Sequence, residues 1–142
     1  MDYMDLLRLH DDRVHWESPL DFDNRVESAR FDGFVKDLST ELGTIYLAET
    51  GSAIQDASFH SQIVLQMAEG RFVTIRFSNF GNMATVSDED LMPEPMMRTV
   101  QDLFLRHGYV YVPATVLNAP YTGSNPGVTG IETWRTRYFD WV

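Results

Sequence analysis

The chain has 142 residues, 44% of them hydrophobic and 13% aromatic, so a single domain spanning 1–142 can bury roughly 68–70% of its unfolded surface without staples. Twenty-one acidic residues against eleven basic ones give a net charge of −10, which argues against nucleic acid or anionic membrane as a partner and favours something basic. With no cysteine there are no disulfides, thiol nucleophiles or thiolate metal sites. No stretch reaches the roughly 18 apolar residues of a membrane span, and the opening MDYMDLLRLHDDR carries acids where a signal peptide needs a basic start, so a cytoplasmic protein is expected.

In chain order, Tyr3–Leu9 reads as a short helix whose leucines follow acids suited to a helix start. Residues 13–17 read as extended and 18–24 as a turn-rich connection. Phe31, Phe34, Val35, Leu38 and Leu42 then form one apolar helical stripe, stopped by Gly43. Residues 44–48 are β-rich. In 59–67 the residues Phe59, Ser61, Ile63, Leu65 and Met67 alternate with His60, Gln62, Val64 and Gln66, which predicts a half-buried strand. Ala68–Gly70 turns the chain, and Val73, Ile75 and Phe77 alternate with Thr74 and Arg76 to complete an antiparallel hairpin. Residues 82–86 return as a third strand.

Ser87 and the acids after it suit a helix N-terminus, and Met96, Val100, Leu103, Phe104 and His107 make a second amphipathic stripe ended by Gly108. Residues 109–112 are β-prone, and 118–130, with two prolines and three glycines, read as a long loop. The closing residues read as an edge or capping segment docked through Trp134, Tyr138, Phe139 and Trp141. These elements predict an α+β fold, a mainly antiparallel sheet with at least two amphipathic helices packed on one face and Ile63, Leu65, Val73 and Ile75 at its centre.

No nucleophile elbow occurs, because Gly123-Ser124-Asn125-Pro126-Gly127 places its serine one residue early. Lys36 lies between Val35 and Asp37, so there is no phosphate-cradling loop, and no cofactor is expected. His10 and His15 are five apart, a spacing that converges on one metal ion neither on a helix nor on a strand, and a solvated acidic loop is the better reading of Asp11 and Asp12. Asp56, His60 and Arg76 suit an anion or a proton transfer, the site of a small hydrolase or nucleotide-binding enzyme. A hydrogen-bond network anchoring the sheet is the competing reading.

Two acidic clusters remain as candidate binding residues: Asp11, Asp12, Glu17, Asp21 and Asp23, and then Asp88, Glu89, Asp90 and Glu94. Lying at helix starts or in turns, they are expected to be exposed, and residues 1–49 alone carry a net charge of −7. Tyr121, in the 118–130 loop, is a further candidate for partner recognition. An acidic adaptor with an unrelated partner would also fit this pattern.

Five segments, Ile54 to Phe59, Arg76 to Gly81, His107 to Tyr111, Pro120 to Gly123 and Trp134 to Trp141, together resemble small bacterial immunity proteins. These are the antidotes of polymorphic toxins, including those of contact-dependent growth inhibition systems. The resemblance covers about residues 30–142 and brings no catalytic residue with it. It implies a non-enzymatic inhibitor that binds one cognate toxin domain, a basic nuclease, and blocks its active site or substrate path.

Overall fold

The computed structural model describes residues 2–12, 14–43, 45–50, 57–124 and 131–140. Its elements are α1 (Tyr3–Leu9), α2 (Asn24–Leu42), β1 (Leu47–Thr50), β2 (Phe59–Gln66), β3 (Phe72–Ser78), β4 (Met83–Val86), α3 (Glu94–Arg106), β5 (Val110–Tyr111) and α4 (Ala114–Leu117), followed by a π-helical turn at Thr136–Asp140. The strands form one sheet in the order β1-β2-β3-β4-β5. The first three pairings are antiparallel and β5 joins β4 in parallel, giving the expected α+β class with a mixed, mostly antiparallel sheet.

Alternation along the strands sorts the core. Ile63, Leu65, Val73, Ile75, Phe77, Ala84 and Val86 face α2 and α3, where Phe31, Phe34, Leu38, Val100, Leu103 and Phe104 meet them. Phe34 stacks on Phe104 at 5.3 Å and meets Phe77 edge-on at 5.2 Å. Each fully buried phenylalanine of this kind stabilises the fold by about 1.5–3 kcal/mol. Met83 belongs to a second cluster with Leu7, Phe80, Val112, Leu117, Trp134, Tyr138 and Phe139. The closing segment therefore docks as expected through Trp134, Tyr138 and Phe139, all 0% exposed, but as a helical turn and not as an edge strand. Trp141 lies outside the described residues.

Several local expectations give way to tertiary context. Residues 14–17 are not extended: Asp12 accepts hydrogen bonds from the amides of Val14 and His15 and bends the chain there. Ser87 does not cap the long helix. Its hydroxyl pairs with the backbone of Thr74, Asp88 adopts a left-handed conformation (φ 54°), and α3 begins after Pro93 with Pro95 in its first turn, where a missing N–H costs nothing. The described part of the 118–130 loop is tied down by a bridge between Pro120 and Thr133.

The alternation expected for β2 breaks at its first residues. Phe59 pairs with Ser78 and Ser61 with Phe77, so His60 is an extra residue, a β-bulge. The bulge sends Phe59 to the face of Arg76, whose guanidinium lies 4.4 Å from its ring, and turns His60 inward toward Phe77 and Phe22.

Candidate functional site

The candidate site grows from the chain between α1 and α2. Asp2 caps α1 by accepting from the Asp5 amide, and Leu7 anchors the helix in the second cluster. Past His10, Asp11 turns inward. Its carboxylate, 1% exposed, meets the fully buried Arg137 guanidinium at 3.0 Å and also accepts from the Tyr121 hydroxyl and the Ser124 amide, each at 2.7 Å. Arg137 spends its other donors on the carbonyls of Asp12, His15 and Trp16 and packs against the rings of Trp16, Phe80 and Tyr138. A planar fork of five donors suits this task and an ammonium does not. Asp11 therefore departs from the exposure expected of its cluster, and Tyr121 is half-buried, committed to Asp11 and packed edge-on against Trp134 at 4.8 Å.

The remaining acids of the first cluster stay at the surface. Asp12 is partly exposed, and its hydrogen bonds from the Val14 and His15 amides hold its pKa below the usual carboxylate range. Asp23 caps α2 by accepting from the amides of Arg25 and Val26. Glu17 and Asp21 are exposed, and Asp21 makes no hydrogen bond or ion pair among the described residues. Its field raises the pKa of His10, although burial lowers that pKa by more.

These residues surround a cleft of about 570 Å³ between α1, the start of α2 and the β3–β4 turn. Asp11, Asp12, Asp21, Asp23 and Glu27 line it, no Lys or Arg does so among the described residues, and the well-exposed Leu9 and Val26 add apolar surface. The far wall approaches closely because Gly81 has no side chain: a Cβ there would lie 2.6 Å from the His10 ring, and its φ of +61° also favours glycine.

The second acidic cluster sits apart, on the β4–α3 connection. Glu89 accepts from the Tyr111 hydroxyl, Glu94 pairs with Arg98 one turn on at 2.9 Å, and Asp88 and Asp90 are exposed. Among the described residues no three His, Asp or Glu side chains converge as a metal site.

His60 and Arg76 do not form a shared centre, because the bulge places them on opposite faces, and Asp56 lies outside the described residues. Arg76 donates to Gln62, to the Phe139 carbonyl and to Asp140, which locks the closing turn onto the sheet. His60 is 5% exposed; its Nδ1 contacts the Ser61 hydroxyl at 2.7 Å, and that hydroxyl meets Thr50. Burial first, and the nearby Arg30 second, push its pKa from 6.5 down to about 4.

An unfolded chain binds that proton near 6.5 and the folded one only near 4, so the stabilisation from a neutral His60 is complete above the ordinary value and is lost as pH falls between the two. Across that window the parent is expected to lose roughly 3 kcal/mol more than His60→Gln, measured by urea unfolding in steps of pH. Equal slopes would refute this.

The periodicity of the sequence did not single out Arg137, Leu9, Val26, Glu27 or Phe22. Asp23 was recognisable as an acid, but its capping role needed the true start of α2. No family model, curated protein or solved structure matches the chain. Among the described residues, no helix is long and apolar enough to cross a membrane.

Proposed function

We propose that this chain is an immunity protein of the cytoplasm, a stoichiometric inhibitor that binds a cognate toxin domain through the acidic cleft. The observation that carries this reading is the lining of that cleft: Asp12, Asp21 and Asp23 have no Lys or Arg partner among the described residues, while Asp11 is held by Arg137 and Glu27 by Arg30, and exposed Leu9 and Val26 lie beside them. A nuclease holds phosphate with a basic surface, and such a surface is drawn to a concentrated acidic field. Apolar groups next to the charges then slow dissociation, since residence depends on buried packing more than on rim charge. Occupation of the toxin's basic groups by these acids excludes the nucleic acid, and no residue of this chain needs to perform chemistry.

The test is to isolate the partner from the native cell, purify both proteins and titrate the partner's nuclease activity with this chain. The expected result is complete loss of activity at one equivalent, with reactivation only on dissociation. A partner without a basic surface, or full activity at saturating inhibitor, would overturn the reading.

A further inference from the structure

Next to the acidic cleft, and sharing Phe22 and Asn79 with it, is a smaller polar pocket of about 160 Å³ between the 17–24 segment and the start of β2. Two of its polar atoms are buried and have no hydrogen-bond partner among the described residues: His60 Nε2 and Asn79 Oδ1. The Asn79 amide cannot rotate to relieve this, because its nitrogen donates to the carbonyls of Glu17 and Ala57 at 2.6 and 3.0 Å. The His60 side chain is 3% exposed, and its Nε2 stands 3.7 Å from a Glu27 carboxylate oxygen, beyond hydrogen-bond reach. An orphaned buried acceptor costs about 1–3 kcal/mol, so two in one pocket point to an occupant that donates to both.

We infer that this pocket receives a single arginine side chain of the toxin, whose guanidinium donates to Asn79 Oδ1 and His60 Nε2. The inference rests on the proposed function. Charge favours a cation: Glu17 lines the pocket and Glu27 faces His60, although Glu27 also pairs with Arg30 at 3.9 Å, whose charge reaches His60. Size selects a side chain, because the volume falls below the roughly 300–1,000 Å³ of small-molecule sites. Phe22, whose ring lies 5.9 Å from that of His60, supplies aromatic surface, which favours a weakly hydrated planar guanidinium over an ammonium. His60 accepts from such a donor when Nδ1 carries the proton and donates to the Ser61 hydroxyl, an arrangement the 2.7 Å contact allows. Its depressed pKa keeps the ring neutral near pH 7, so it does not repel the cation.

The test reads the pocket without the toxin. The side-chain nitrogen resonances of His60 are followed by NMR near neutral pH while methylguanidinium, methylammonium or urea is added. Methylguanidinium is expected to shift Nε2 saturably, with half-saturation at roughly 1–10 mM, to fix the Nδ1–H tautomer, and to bind several-fold more weakly to Glu27→Gln. Methylammonium is expected to bind more weakly than methylguanidinium, and urea to leave His60 unchanged. Shifts confined to the amides around Asp21 and Asp23, an equal response to urea, or equal binding of methylammonium would each overturn the assignment. A null result here leaves the inhibition assay standing, while failure of that assay with a responsive pocket would strike the proposed function alone.

Discussion

Arg137→Ala is expected to destabilise the fold by about 3–5 kcal/mol, lowering the melting temperature by on the order of 10 °C. The cost comes less from the lost attraction than from what stays behind. Asp11, 1% exposed at its side chain, would keep its charge in the interior with, among the described residues, the Tyr121 hydroxyl and the Ser124 amide to compensate, and three carbonyls would lose their donor. Arg137→Lys should recover only part of the loss, because a single ammonium cannot reach Asp11 and the carbonyls of Asp12, His15 and Trp16 in the same plane. Adding Asp11→Asn to Arg137→Ala should return a measurable fraction, because it removes the unpaired charge. Urea unfolding of the four proteins checks this. An Arg137→Ala variant within 1 kcal/mol of the parent would show that the pair contributes little.

Reversing charge in the cleft at Asp21 and in the pocket beside it at Glu17 should act on association and not on folding. Glu17→Lys with Asp21→Lys alters two exposed carboxylates that cap no helix, so the fold should survive. Binding to a basic toxin is expected to slow by about tenfold or more at low salt, with a flatter salt dependence and little change in dissociation. Asp90→Lys with Glu94→Lys makes the same change in net charge at the other cluster, where the Glu94–Arg98 pair is well exposed and worth little. That variant should bind within about a factor of two of the parent, because at physiological salt fields fade over about 8 Å. Equal slowing of both variants would mean that net charge alone steers the encounter.

The hairpin of β2 and β3 and the stripes of α2 and α3 were legible because a period of two or of 3.6 marks a buried face directly in the sequence. The start of α1 was legible from the acids at its N-terminus, but of its leucines Leu7 alone is buried and Leu9 is exposed. The His60 bulge was not: one extra residue in a strand leaves the composition unchanged while inverting every face assignment before it. The start of α3 differs from the sequence reading because Ser87 and the acids suit a cap, while Pro93, itself extended, and Pro95 in the first turn make a better start. The site divided along the same line. Its charge density could be read, and so could Asp21 and Asp23. The inward turn of Asp11 could not, since it depends on an arginine 126 positions away that nothing local selects. Glu27 likewise joins the cleft only because α2 begins at Asn24.

If the cleft is the docking surface, binding must protect it. Amide hydrogen exchange of this chain, alone and saturated with its purified toxin, locates that surface. Slowed exchange is expected in residues 9–12 and 20–27 and in the β3–β4 turn at 79–82, with little change at 88–94 or along β1. Protection at 88–94 or along β1, with the cleft exchanging as in the free protein, would place the interface elsewhere and remove the acidic cleft from the mechanism.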